Sequence, residues 1–325
     1  MDLTTKYMGI TLKNPIVAAS SKLTASIESI KQLADAGVGA IVLKSLFEEQ
    51  ILADKNILYQ QDAMYFWFPE AVDYMNNYSK EHGVKEYLKL IEQAKEETQI
   101  PIIASINCTT HKEWPEFAKE LAKSGADGIE LNIYLLPSDL LTPGEEILRS
   151  YIRIIEEVKK NVNLPISLKI GYFFSNLNLA IRELSSSGVD ALVLFNRYYR
   201  PDIDIHNLTI NSDNIFSAPE EITLPLRWIA LLSNKVKCDL AASTGIHDHV
   251  GVIKQLLAGA KVTQLCTTLM KNGPKYVETI LNGLTTWMSQ HNYSSVNDFR
   301  GLISKNKEYS AAFERVRFMK RTTNQ

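Results

Sequence analysis

The stretch Ile166-Ser167-Leu168-Lys169-Ile170, followed by a helical run Asn176–Ser187, Gly188, and then Ala191-Leu192-Val193-Leu194-Phe195, decides the fold. Both end segments are short and mostly apolar, which suits strands buried on both faces of a parallel sheet. Gly188 follows a small residue at the helix end, where a left-handed stop is wanted. The same strand–helix–glycine unit recurs along the chain. Candidate strands are Ile16–Ser20, Val38–Lys44, Ile102–Asn107, Gly128–Asn132, Ile166–Ile170, Ala191–Phe195, Asp239–Ala242 and Val262–Cys266. Helical stretches follow near Ser26–Ala36, Val84–Thr98, Glu113–Lys123, Gly144–Asn161, Asn176–Ser187, Leu224–Ser233, Asp248–Ala258 and Pro274–Gln290. Further stops fall at Ala36-Gly37, Ser124-Gly125 and Ala258-Gly259. Eight strands, each with its helix, is the count of a (β/α)8 TIM barrel. A doubly wound sheet is the alternative, but Ala18-Ala19-Ser20-Ser21 lacks that fold's glycine-rich pyrophosphate turn.

Nothing in the composition opposes one large barrel. The chain has 325 residues, 45% hydrophobic and 22% charged, and no low-complexity or Gly/Ser linker divides it. We therefore expect a single domain over residues 1–325. A net charge of −2 gives no electrostatic case for nucleic acid. Three cysteines (Cys108, Cys238, Cys266) are too scattered for a disulfide framework or a cysteine-rich zinc site, so a reducing, cytoplasmic setting is expected. Met1-Asp2-Leu3-Thr4 lacks the pattern of a signal peptide, and no apolar run is long enough to span a membrane.

Two strand–helix connections, Ser45–Gly83 and Asn196–Thr223, far exceed the usual two to six residues. In a barrel both rise from the C-terminal face, where active sites are built. The second alternates in Ile203-Asp204-Ile205-His206 and Leu208-Thr209-Ile210-Asn211, the pattern of a hairpin over the mouth. Thr4–Tyr7 and Ile10–Leu12, around Met8-Gly9, are expected to form a small hairpin plugging the barrel bottom.

Chemistry-bearing residues collect at the strand ends: Lys44-Ser45, Asn107-Cys108, Glu130-Leu131-Asn132, Lys169, Asn196-Arg197, Ser243-Thr244-Gly245 and Cys266-Thr267-Thr268. A lysine in a buried strand needs an anion, so Lys169 and Lys44 are expected at the mouth. Small hydroxylated residues before the last two helices suit a phosphate, although ordinary helix capping uses the same residues. Arg197-Tyr198-Tyr199-Arg200 suits either an acidic substrate group or a solvated loop. Tyr65-Phe66-Trp67-Phe68 reads as a loop packed over the mouth. His247-Asp248-His249 reads as a helix cap rather than a metal site, and no metal is expected.

In order along nearly the whole chain, these residues resemble the class 1 dihydroorotate dehydrogenases, FMN-binding (β/α)8 barrels. Asn14-Pro15 with Ala19-Ser20 is similar to the family's opening strand and flavin-contacting turn, and Lys44-Ser45 to its Lys-Ser pair. Glu130-Leu131-Asn132 matches the start of Glu-Leu-Asn-Leu-Ser-Cys-Pro-Asn. Lys169 falls on the flavin-facing lysine and Asn196 on a substrate-contacting asparagine. Thr244-Gly245-Ile246 resembles the Gly-Gly-Ile phosphate loop, Cys266-Thr267-Thr268-Leu269 the Gly-Thr-Ala-Leu after it, and Gly273-Pro274 with Tyr293–Gly301 the family's tail.

The resemblance implies FMN as cofactor, held by Ala19, Ser20, Lys44, Ser45, Asn107, Asn132, Lys169, Thr244, Gly245, Cys266 and Thr267. It implies a substrate site at Lys44, Asn132, Asn196 and Arg197, oxidation of dihydroorotate to orotate in pyrimidine biosynthesis, and a homodimer. The acceptor (fumarate, NAD through a partner subunit, or another) stays open. Class 2 members carry an N-terminal membrane-associating helix. This chain starts almost directly on its first hairpin, so no membrane contact is expected.

The departures lie where substrate chemistry is done. After Asn132 the chain reads Ile133-Tyr134-Leu135-Leu136-Pro137-Ser138, so the family's catalytic cysteine or serine is replaced by leucine with one residue inserted. Met64–Glu70 stands for its asparagine-bearing substrate loop. Tyr134, Ser138 and Cys108 are the candidate replacement bases beside Lys169. The alternatives are an FMN oxidoreductase acting on another small molecule, or a flavin- or phosphate-binding barrel without catalysis.

Overall fold

The computed structural model describes residues 1–47, 83–108, 114–133, 135, 138, 140–198, 200–211, 215–306 and 312–314. Eight parallel strands close into a barrel: β3 (Ile16–Ala18), β4 (Ala40–Val42), β6 (Ile102–Cys108), β7 (Gly128–Ile133), β8 (Ile166–Ile170), β9 (Ala191–Leu194), β12 (Asp239–Ser243) and β13 (Val262–Leu265). Closure is made where β4 pairs with β6 through Ile41↔Ile102 and Val42↔Ile103. Helices α1 (Ile27–Asp35), α2 (Val84–Glu97), α3 (Trp114–Lys123), α4 (Gly144–Asn161), α5 (Leu177–Ser186), α6 (Thr223–Leu232) and α7 (His249–Ala258) lie between the strands, and α8 (Thr267–Asn272) and α9 (Tyr276–Gln290) follow the last. This is the expected (β/α)8 barrel.

Strand parity separates two cores. Ile41, Ile102, Ala104, Ile129, Leu131, Leu168, Leu192 and Leu194 face outward, packed with Ile30, Ile91, Leu121, Ile155 and Ile181 of the helices. Val17, Val42, Ile103, Val193, Ala241 and Val262 face inward. That second cluster also holds Tyr7, Met8 and Leu12 of the hairpin β1 (Thr5–Tyr7) and β2 (Ile10–Leu12). The hairpin therefore plugs the barrel bottom as its sequence implies.

The helix stops expected at Gly37, Gly125, Gly188 and Gly259 all take positive φ. At Gly259 (φ 112°) the N–H reaches Gln255 O and Leu256 O, satisfying the last turn of α7. A repeated device seats the strands at the lower rim. Asp127 accepts from Ile102 N–H (2.7 Å) and pairs with Lys95, and Asp190 accepts from Ile166 N–H (2.8 Å) and pairs with Lys159.

The second barrel strand is shorter than the expected Val38–Lys44. The strand ends at Val42, Leu43 N–H still bonds Ile103 O (2.9 Å), and a two-residue segment β5 (Leu46–Phe47) resumes pairing with β6. In the gap, the Tyr87 hydroxyl donates to Ser105 O (3.0 Å) and accepts from Ser105 N–H (2.8 Å), standing in for the missing strand. The hairpin in the long connection is β10 (Asp202–Asp204) against β11 (Thr209–Asn211). Its apolar face, Ile203, Ile205, Leu208 and Ile210, is 67–85% exposed. The connection after β5 and Tyr65–Phe68 lie outside the described residues, as do Met64 and Glu70.

Candidate active site

Register builds the site. Asn107 on β6, Asn132 on β7 and Lys169 on β8 are Cα partners in sequence, so one polar row crosses three neighbouring strands at a single height. All three have the inward parity of Ile103 and Val193, and all lie near the C-terminal ends of their strands. Asn196 joins the row by donating from Nδ2 to Asn132 Oδ1, while its own N–H is fixed on Ile170 O at 2.8 Å. Lys169 is 8% exposed and sits 3.4 Å from Gln264 Oε1 and 3.9 Å from Glu130 Oε1.

Lys44 follows β4 on the same side of the barrel. Burial and then the nearby Lys22 charge hold its ammonium down at about 8. Beside it, hydroxyls link the strand ends: Ser45 N–H donates to Ser20 Oγ (2.9 Å), and Ser45 Oγ lies 2.8 Å from Ser105 Oγ. Ala19 is buried, its N–H on Leu265 O.

On the opposite side, Thr244 and Gly245 take φ of 79° and 74°. The first value is one that glycine favours and threonine resists. A bond from Thr244 Oγ1 to Phe195 O (3.2 Å) helps hold it, so the loop keeps its course despite the substitution. A Cβ on Gly245 would meet Ile222 N at 2.1 Å, so this loop lies directly against the end of the 196–223 connection. Thr267 Oγ1 accepts from Ser217 N–H (3.1 Å), and Ser217 Oγ lies 3.2 Å from His247 Nε2. Burial, then Lys271, lowers His247's proton affinity. Asp248 caps α7 by accepting from Gly251 N–H at 2.8 Å. Burial pushes the Cys266 thiol up, with the Lys169 charge acting the other way.

Of the remaining expected residues, Arg197 and Ser138 lie among the described ones, and neither takes part in the bonds of this row given above. Arg197 pairs with Glu221 (3.1 Å), which Arg200 also meets (2.9 Å), and donates to Ile215 O. The guanidinium thus ties the long connection together. Ser138 is exposed. Tyr134 lies outside the described residues, and so does the side chain of Cys108. Leu135 is partly buried against the outer core. Gln264 and Ser217 were missed by sequence reasoning, as was the meeting of Ser217 with His247 and Thr267. Gln264 has a legible signal, being a polar residue at inward parity in the apolar strand Val262-Thr263-Gln264-Leu265.

Two lysines, three asparagines and linked hydroxyls thus collect at the C-terminal end of a (β/α)8 barrel, the face on which enzymes of this fold build their sites. The chain belongs to the dihydroorotate dehydrogenase family, whose profile matches residues 2–288, and is an oxidoreductase of that family. It is 25% identical over 315 residues to the catalytic subunit of dihydroorotate dehydrogenase B (NAD(+)) of Methanothermobacter thermautotrophicus, covering 92% of this chain and 98% of that one. It is 24% identical to a putative dihydroorotate dehydrogenase A (fumarate) of Aeropyrum pernix, covering 92% and 97%. It is 22% identical to the NAD-dependent dihydropyrimidine dehydrogenase subunit PreA of Escherichia coli, covering 94% and 77%. Among the described residues no helix is long and apolar enough to cross a membrane.

Proposed function

We propose that this chain is an FMN-dependent dehydrogenase acting on a carbon–carbon bond of a reduced pyrimidine, with dihydroorotate the first candidate and pyrimidine biosynthesis the setting. The observation that carries this reading is the in-register row Asn107–Asn132–Lys169, extended by Asn196. The donor set fits FMN, because ammonium and amide groups match a phosphate and a ring rich in acceptors, while Glu221 is already matched by arginines. Ala19, Ser20, Lys44, Ser45, Asn107, Asn132 and Lys169 hold the ring side, and Thr244, Gly245, Cys266 and Thr267 the phosphate side. When bound, the flavin supplies a hydride acceptor.

The chain's own residues do the rest. Lys169, fixed by Gln264 and Glu130, offers positive charge where negative charge accumulates as hydride arrives, and such preorganised charge is commonly the largest catalytic contribution. Asn132 and Asn196, locked to each other, present amides that orient the substrate, with Lys44 near its carboxylate. A base must also take a proton from the substrate. Leu135 cannot, and Ser138 is exposed, which leaves Tyr134 or Cys108 for that role. Leu135 also favours a second reading, the same flavin chemistry on a small molecule that needs no strong base. The exposed apolar face of the β10–β11 hairpin supports a homodimer. The whole chain acts as one barrel unit in the cytoplasm.

The test is the visible absorption spectrum of the purified protein before and after anaerobic dihydroorotate. A flavin band that bleaches is the expected result. An unchanged band rejects the substrate and leaves the second reading, and no band rejects FMN. Lys44 adds a pH signature. Its ammonium is lost as pH rises through about 8, so FMN affinity falls by up to roughly tenfold between pH 7 and 9. Equilibrium binding across that range checks it, and Lys44→Arg flattens the profile.

A further inference from the structure

Below the row at the mouth lies a second one on the same strands. Ser105, Glu130 and Ser167 are register partners, each two residues nearer the barrel bottom than Asn107, Asn132 and Lys169. Glu130 is 1% exposed, and so is Gln264, which faces it from β13 across the lumen. Gln264 Nε2 donates to Glu130 Oε2 (2.5 Å), and Gln264 Oε1 accepts from Lys169 Nζ (3.4 Å). Only this orientation of the amide serves both groups, because a half-turn would set its NH2 against the ammonium and its oxygen against the carboxylate. Glu130 Oε1 has no hydrogen bond and lies 3.9 Å from Lys169 Nζ. Among the described residues the hydroxyls of Tyr7 and Ser167 are also buried, close enough to interact with one another. Burial, and next the charge of Glu130, raise the Tyr7 phenol well above its ordinary range. The carboxylate thus faces Lys169 above and only neutral groups elsewhere.

A carboxylate sealed in a barrel lumen is expensive, and a leucine-sized side chain would fill similar space among Val42, Ile103 and Val193. Burial pushes its carboxyl up, against the pull of the Lys169 charge and the Gln264 bond, so ionising it costs more here than in water. Such a group is explained by what it does to Lys169. We propose that Glu130, directly and through Gln264, is the positioning residue of Lys169: it pins the ammonium to the floor of the mouth and limits how strongly that charge favours a reduced over an oxidised flavin. This rests on the reading that the mouth holds FMN, but the pairing itself can be tested without the cofactor.

Two measurements on wild type, Glu130→Gln and Glu130→Asp decide it. In the apoprotein, the acylation rate of Lys169 by acetic anhydride is read by peptide mass spectrometry, with Lys44 as internal reference. Loss of the carboxylate frees the amine, so Glu130→Gln raises the rate about tenfold, and Glu130→Asp stays near wild type. In the FMN-loaded protein, the midpoint potential is read by equilibrium reductive titration. Glu130→Gln leaves oxidised FMN binding within about threefold but favours reduced flavin about tenfold more, an upward shift of about 30 mV for a two-electron couple. The glutamine keeps the bond from Gln264 but leaves the buried Lys169 ammonium with only the Gln264 oxygen to meet it, so this variant melts below wild type and both readings are taken on protein shown to be folded.

An unchanged acylation rate overturns the pinning. An unchanged potential with FMN bound overturns the influence on the flavin. Absence of FMN from every variant, wild type included, defeats the cofactor reading instead, and the acylation rates still decide the pairing.

Discussion

Replacing Lys169 by alanine slows substrate-driven bleaching of the bound flavin by about 10²–10³-fold, the usual loss when one preorganised charge is removed from a reacting centre. FMN itself stays bound, because the phosphate side of the mouth, at Thr244–Gly245 and Cys266–Thr267, is untouched. The substitution strands Glu130 as a buried charge with only the Gln264 amide to meet it, which costs about 3–5 kcal/mol of stability. The rate is therefore measured by anaerobic stopped flow on folded, flavin-loaded protein. A variant that bleaches at the wild-type rate removes Lys169 from the chemistry.

The largest stability effect expected of a small change is at Gly39. A Cβ there would lie 2.2 Å from Asn14 O and 3.2 Å from Ile16 O, both backbone atoms. Asn14 cannot yield easily, since its Nδ2 holds Gly37 O (2.7 Å) and its Oδ1 holds Ile16 N–H (3.0 Å). Gly39→Ala must therefore push β4 away from β3, at a cost of about 3 kcal/mol or more. Gly188→Ala is the matched control. Its φ of 100° strains an alanine by about 1–2 kcal/mol, but nothing lies within 4 Å of the new methyl. Denaturant unfolding of the two variants should separate the clash from the strain, and equal losses would refute the close approach at Gly39.

Most of the barrel was legible because its strands are buried on both sides. Ile166–Ile170 matches its sequence-derived bounds, since a short segment with Ile, Leu and Ile at alternate positions between a proline and a glycine leaves little choice. The second strand misled for a physical reason. Val38–Lys44 reads as one apolar run, yet the strand spans only Ala40–Val42, and after the bond from Leu43 N–H to Ile103 O a tyrosine from α2 satisfies Ser105. No periodicity encodes a side chain that replaces a strand. Lys169 and Asn132 were legible as polar residues at the ends of apolar strands. Their coupling to Gln264 was not, because that contact joins β8 to β13 across the lumen, 95 residues apart. Arg197 read equally as a ligand group or a loop residue, because its ion pair with Glu221 joins two parts of the long connection that the sequence does not show to be neighbours.

The seam between β3 and β13 has a consequence for synthesis. Val17 pairs with Gln264, and the Thr263 hydroxyl bonds Pro15 O across 248 residues of sequence. On the ribosome, Ile16–Ala18 therefore waits for its partner while some 250 residues are added, about 12–50 s at ordinary translation rates. Through that interval the nascent sheet keeps a naked margin of unpaired backbone that invites pairing with a neighbour. Messages cut short before Val262 would yield chains that cannot seal themselves, and their fate is capture by a holding chaperone or deposition in aggregates.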